Sequence, residues 1–155
     1  MPKRRHPPLG RAEIERICRE HGISLTAQRR TVLEILSILN HPTVDDIWGE
    51  VRKALPEVSR TTVYRILEHF ASLHIIRKVC HPGAVARYED RTDRHHHLLC
   101  TRCGAMNDMD NPAFDQIEIP GKELGFTIED YSIQFRGICH ECSARAPGRN
   151  KAKVE

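Results

Sequence analysis

Six cysteines occur in this 155-residue sequence, and four of them form two Cys-x-x-Cys pairs, Cys100-Thr-Arg-Cys103 and Cys139-His-Glu-Cys142. Two intervening residues let both thiolates of a pair reach one ion while the amides of the turn point at the sulfurs. Two such pairs complete the closed tetrahedron of a structural zinc site. The 35 residues between Cys103 and Cys139 exceed the loop of the commonest zinc ribbons and leave room for a strand-helix-strand unit. A redox dithiol is the competing reading of one pair; two pairs in so short a chain favour the metal. Directly before the first pair stand His95, His96 and His97. Alternate residues of an extended segment share a side, so His95 and His97 can serve one ion while His96 faces away. Imidazole joined by carboxylate suits Fe, Mn, Zn or Ni. A solvated polar linker is the alternative for the triplet. Cys18 and Cys80 stand alone and are expected to be partly buried small residues.

The elements that must position these groups follow from periodicity. A short helix is expected over Arg11–His21, stopping at Gly22, and a second from Thr26, with Val32, Leu33, Ile35, Leu36 and Leu39 as one apolar stripe. Asn40-His41-Pro42 should end it. Thr43 can cap the next helix, with Asp46 completing a capping box, and Ile47, Val51 and Leu55 facing inward. Ser59 should cap a further helix in which Val63, Ile66, Leu67 and Phe70 fall at i, i+3, i+4 and i+7. That stripe docks the helix and leaves Arg60, Thr61, Tyr64 and Arg65 on the open side. Segments 75–80 and 84–89 then read as strands joined by a turn at His81-Pro-Gly83. Several helices followed by a hairpin describe a winged helix-turn-helix, and the helix from Ser59 is its candidate recognition helix.

Residues 90–97 read as a polar hinge. Leu98–Cys100 and Ala105–Met109 are expected as short strands around the first knuckle. A helix should start near Asn111-Pro112 and be interrupted by Pro120-Gly121, and a long strand is expected over Phe126–Ile138, where Ile128, Ile133 and Phe135 alternate. The domain plan is therefore 1–89 for the winged helix with a mobile tail at 1–10, 90–97 for the hinge, 98–143 for an α/β domain with the four-cysteine zinc site, and a disordered tail at 144–155. The fold class is α+β.

Apolar residues make up 39% and charged residues 29%, the pattern of a soluble chain with an aliphatic core, since aromatics are only 5%. No apolar run is long enough to span a bilayer, and the basic start Met1-Pro-Lys-Arg-Arg-His lacks the apolar stretch of a signal peptide. Membrane association is not expected, and the default location is the cytoplasm. Net charge is +3, with the excess of Lys and Arg confined to residues 1–90. That excess permits nucleic-acid contact without demanding it.

Leu25-Thr-Ala-Gln-Arg-Arg30, His41-Pro-Thr-Val-Asp-Asp-Ile47, Thr61-Thr-Val-Tyr-Arg65, His95-His-His-Leu-Leu-Cys-Thr-Arg-Cys-Gly104 and Gly137-Ile-Cys-His-Glu-Cys142 together resemble the Fur (ferric uptake regulator) family. The resemblance covers about residues 11–143. It implies a homodimeric, metal-dependent transcriptional repressor acting on double-stranded operator DNA, with no small-molecule substrate and no enzymatic activity. The C-terminal α/β domain becomes the dimerisation domain. The resemblance also implies a regulatory metal site at His41, Glu89, His95, His97 and Asp108, taking Fe(II) or Mn(II), with Zn(II) as a substitute in vitro. On the helix from Ser59 it favours DNA contact, with Tyr64 and Arg65 as leading base or backbone contacts and Arg60, Thr61 and Thr62 on phosphates.

Subtype features conflict. Peroxide sensors resembling PerR usually carry Asp where Glu89 stands, so Glu89 resembles the iron-sensing subtype, whereas His41-Pro-Thr-Val-Asp-Asp resembles the peroxide sensors. Zinc sensing ranks third. Many iron-sensing members hold a third metal. Here Tyr131 and Arg94 replace two of its expected positions, and His96 with Asp115 is an incomplete set. Two rival classes remain: a metallohydrolase, which would need an open coordination position, and a zinc-ribbon interaction module, which would need no winged helix.

Overall fold

The computed structural model describes residues 9–81, 83–117, 121–129 and 131–145. They form two compact units divided between Arg94 and His95. Most of the two expected tails lies outside the described residues.

The first unit packs helices α1 (Arg11–Glu20), α2 (Ala27–Ile38), α3 (Val44–Ala54) and α4 (Arg60–Ser72) with an antiparallel hairpin, β1 (Arg77–Val79) and β2 (Arg87–Glu89). The helix starts use the expected chemistry. The side chains of Thr26, Thr43 and Ser59 accept from the third helical amide of α2, α3 and α4, and Thr43 with Asp46 forms a full capping box. Gly22 takes the left-handed conformation after α1 (φ +65°). Ile14, Val32, Leu33, Leu36, Ile47 and Val51 close one aliphatic core with Val63, Leu67 and Phe70 of α4. Ile66 and Leu55 are only partly buried at its edge. Trp48 lies over this core, its indole N–H donating to the carbonyl of Val58 at 3.0 Å and the Arg52 guanidinium 5.2 Å above its ring. Helices α2 to α4 with the hairpin make the winged helix-turn-helix. The wing strands are shorter than expected, each three residues.

Cys80 corrects the expectation of partial burial. It is exposed, whereas Cys18 is buried in the core. Strand β1 ends at Val79, so Cys80 lies beyond the last paired residue, where the wing turn leaves it open.

The second unit holds β3 (His96–Cys100), β4 (Met106–Met109), α5 (Pro112–Asp115), a 3₁₀ turn at Lys122–Leu124, β5 (Gln134–Gly137) and α6 (His140–Ala144). Its sheet has the order β4-β3-β5, with β4 antiparallel and β5 parallel to β3. Strand β3 begins at His96, so His96 and His97 of the triplet lie in the sheet and His95 directly precedes it. Helix α5 starts as expected, with Pro112 in its first turn and Asn111 accepting from the amide of Ala113.

The long strand expected over Phe126–Ile138 is a correction: among the described residues of that span only Gln134–Gly137 forms a strand. Upstream, the chain folds back on its own turn. The Phe126 amide donates to the Gly121 carbonyl at 2.8 Å, and Ile128 Cγ1 sits 2.5 Å from where a Cβ on Gly121 would be. A side chain at 121 would displace Ile128, so glycine is what permits this loop.

Candidate functional site

Each knuckle is built at the end of a strand. Cys100 ends β3, the left-handed Gly104 (φ +71°) returns the chain, and the Cys100 amide donates to Ala105 at 2.9 Å. The parallel register sets Gly137 beside Cys100, and the Thr101 amide donates to Gly137 at 2.7 Å. Cys139 arrives two residues later as the N-cap of α6, and one helical turn brings Cys142 back. The four sulfurs lie within 4.8 Å of one another, with Cys103 Sγ and Cys139 Sγ 3.8 Å apart. Thiolates bound at ~2.3 Å in a tetrahedron stand ~3.8 Å from each other. The donor set and spacing therefore fit structural zinc. The electrostatics agree. Backbone amides of Cys139 and Cys103 hold the Cys100 thiol down at about 6. Hydrogen bonds to the sulfurs of Cys103 and Cys139, aided by burial, push Cys142 up to about 12. A proton kept at Cys142 by neighbouring sulfurs is what a cation would displace.

The predicted nitrogen and carboxylate ligands fall in two groups, one in each unit. In the first unit, His41 Nε2 lies 2.8 Å from Glu89 Oε2, both buried. The β2 strand is sewn to the His41–Thr43 segment. Arg87 donates to the His41 carbonyl at 2.8 Å, the Tyr88 amide donates to the Pro42 carbonyl at 2.9 Å, and Thr43 bridges Arg87. His41 itself has φ +46°, an uncommon conformation for a residue with a side chain. In the second unit, register puts His97 directly opposite Asp108. His95 Nε2 lies 3.1 Å from His97 Nε2 and 3.7 Å from Asp108 Oδ1. Two imidazole nitrogens bound to one ion at ~2.1 Å would be spaced ~3 Å apart, so the pair fits a shared cation.

His96 points to the opposite side of β3. Its Nδ1 accepts from the Ile133 amide at 3.2 Å, and its ring stacks on Tyr131 and meets the Phe114 edge.

On α4, Arg60, Thr61, Tyr64 and Arg65 are exposed and Thr62 is half-buried. Two of them are already engaged. Arg60 makes a two-pronged ion pair with Asp45 of α3, at 2.5 and 3.0 Å. The Thr62 hydroxyl lies 2.9 Å from that of Ser59. Sequence reasoning missed a second cluster behind this face. Glu68 Oε1 accepts from the Tyr88 hydroxyl at 2.6 Å and from Lys78 Nζ at 2.8 Å, and Lys78 Nζ stands 5.8 Å over the Tyr64 ring. Burial opposes ionisation of Glu68, but bonds from Lys78 and Tyr88 outweigh it and hold the carboxyl below its ordinary range. Burial, with the Glu68 carboxylate, pushes the Tyr88 phenol well up. No local pattern marks Glu68 or Lys78, because each reads as a solvated charge.

A sequence model of the ferric uptake regulator family matches residues 20–136. The chain belongs to that family. It is 34% identical over 134 residues to the transcriptional regulator FurA of Mycobacterium tuberculosis, spanning 85% of this chain and 91% of that protein. Over 129 residues it is 31% identical to the peroxide operon regulator of Bacillus subtilis, covering 82% of this chain and 89% of the relative. Among solved structures, a zinc uptake regulator complexed with zinc and DNA is 26% identical with a TM-score of 0.67, covering 86% of this chain and 92% of that one. Both curated relatives are named as regulators, which agrees with a non-enzymatic reading. No helix among the described residues is long and apolar enough to cross a membrane.

Proposed function

We propose that this Fur-family chain is a homodimeric, metal-dependent transcriptional repressor of the cytoplasm. Cys100, Cys103, Cys139 and Cys142 hold a permanent zinc ion. His41 and Glu89 from the winged-helix unit join His95, His97 and Asp108 from the dimerisation unit around one sensed ion, Fe(II) or Mn(II). The observation that carries this reading is the division of the nitrogen and oxygen donors. Two buried groups in the first unit and three in the second each leave an ion of this class under-coordinated. An ion bound by both groups favours the closed arrangement over the open one. It shifts the population only as far as its affinities for the two differ.

Closure sets two recognition helices at the spacing of two half-sites on a palindromic operator. Tyr64 and Arg65 then face bases or backbone, and Thr61, Thr62 and Arg60 face phosphates, with Arg60 exchanging Asp45 for a phosphate oxygen. The second copy of the chain docks on the exposed apolar face around Leu98, Phe135 and Ile138, which line one groove of about 420 Å³.

Peroxide sensing is the second reading, favoured by the similarity to the Bacillus subtilis peroxide operon regulator. In it, peroxide would react at an Fe(II) held by these ligands, adding one oxygen atom to a histidine ligand while the peroxide is reduced to water. One experiment addresses both. Affinity for promoter DNA is titrated against Fe(II), Mn(II), Zn(II) and Ni(II), with and without peroxide, and the histidines are then weighed by mass spectrometry. Binding that rises at least tenfold with Fe(II) or Mn(II) supports the repressor, and oxygen added to His95 or His97 with loss of binding supports peroxide sensing. Binding indifferent to every ion and to chelator overturns both.

A further inference from the structure

The cluster around Glu68 is not used by the function above, yet it lies between the two parts that function must connect. We infer that Glu68 is a positioning residue that couples the strand bearing Glu89 to the DNA-facing side of α4, through Tyr88 on one flank and Lys78 on the other. The inference rests on the metal-dependent repressor reading and names the route by which the first unit would register its ion.

The chain of contacts is short and each link is specific. Glu89, whose carboxylate meets His41 at 2.8 Å, is the neighbour of Tyr88 in β2. A strand advances only about 3.3 Å per residue with alternating sides, so a shift at Glu89 is delivered to Tyr88. The Tyr88 ring is fully buried in the aliphatic core, where phenylalanine would pack equally well. Its hydroxyl therefore needs a reason, because a buried phenol must find an acceptor. That acceptor is Glu68 Oε1, at 2.6 Å. Lys78, directly paired with Tyr88 in the β1–β2 register, reaches the same oxygen at 2.8 Å. Helix α4 and both wing strands thus converge on one carboxylate oxygen. Glu68 stands one helical turn beyond Tyr64, and Lys78 Nζ sits 5.8 Å over the Tyr64 ring, within range of a cation–π attraction.

A partly exposed Lys–Glu pair contributes little to stability. Three elements meeting on one oxygen do fix the rotation of α4 against the wing, and with it the direction in which Tyr64 points. Spatial continuity alone does not establish coupling, so the test is thermodynamic. Coupling is reciprocal: whatever factor Mn(II) adds to DNA affinity, DNA must add to Mn(II) affinity.

The experiment uses the full zinc-loaded chain, Mn(II) as the probe ion, and a palindromic DNA fragment selected from a random pool by the Mn(II)-loaded wild type. DNA affinity with and without Mn(II), and Mn(II) affinity with and without DNA, are measured for wild type, Glu68→Gln, Tyr88→Phe and Lys78→Met. The expected result is a coupling factor reduced about tenfold in Tyr88→Phe and Glu68→Gln, equal in both directions of the cycle. Mn(II) affinity without DNA should stay within about twofold of wild type. Lys78→Met, a half-exposed position, keeps the test available if Tyr88→Phe does not fold, and should lose about threefold of the coupling. Wild-type coupling retained by every folded variant overturns the relay alone. Wild type without any Mn(II) dependence overturns the repressor reading and the relay with it.

Discussion

In the first unit the buried interior is aliphatic, built around residues such as Ile14, Leu33, Ile47, Leu67 and Phe70, each at most 1% exposed. In the second unit the buried apolar side chains among the described residues are Met106 and Cys100, while His95, His96, His97 and Asp108 are buried beside them. Its larger apolar residues face outward: Leu124 is 71% exposed, Phe126 67% and Ile138 51%. Burial of apolar area drives folding at roughly 25 cal/mol per Å², so the first unit can draw its stability from its own side chains. The second has imidazole, carboxylate and thiol where a core would be, and those groups are costly to bury without a partner. Its described apolar interior is correspondingly smaller, and the four gathered sulfurs are what its strand ends share.

The sharpest way to break this contrast is Cys100→Ser. Zinc content should fall from one equivalent to none. Hydrogen exchange should show residues 96–142 unprotected and dimers lost, while α2 to α4 keep their protection. Protection of β3 and β5 in a zinc-free variant would show that the second unit has an adequate core after all. The converse is Leu67→Ala, which opens a cavity in the first unit. It should cost about 2–5 kcal/mol in a denaturant titration, with zinc content unchanged. Loss of zinc with this variant would mean the two units do not stand on separate supports. Smallest is Thr43→Ala, which removes one capping-box partner. It should cost about 1 kcal/mol, read as a lower melting temperature of the first unit only.

The same contrast decides what could be read from the sequence. Val63, Leu67 and Phe70 repeat at the helical period because a broad apolar core lies beneath them, so α4 and its Ser59 cap were legible from local pattern. In the second unit alternation misled. Ile133 and Phe135 share one face, but Ile128, five residues before Ile133, falls on the other, and among the described residues only Gln134–Gly137 forms a ladder. The two cysteine pairs were legible because metal chemistry fixes their spacing locally. Asp108 was reached through family resemblance alone, since its place opposite His97 depends on a register between separate strands. Arg60 was assigned to an open face because its partner Asp45, fifteen residues earlier, lies in another helix. Glu68 and Tyr88 escaped notice for the same reason, their bond closing across twenty residues.

The position of Trp48 has an optical consequence. It is the only tryptophan in the sequence, and its indole is tied to Val58 and Arg52 within the first unit. Fluorescence excited selectively at tryptophan therefore reports the winged helix and is silent about the half that carries the four clustered cysteines. A melting curve recorded that way would look complete with the second unit already undone. Tyr131, which stacks on His96 and donates its hydroxyl to Phe114 at 2.5 Å, is the second unit's own chromophore, and tyrosine absorbance follows it once Tyr64 and Tyr88 of the first unit are replaced by Phe.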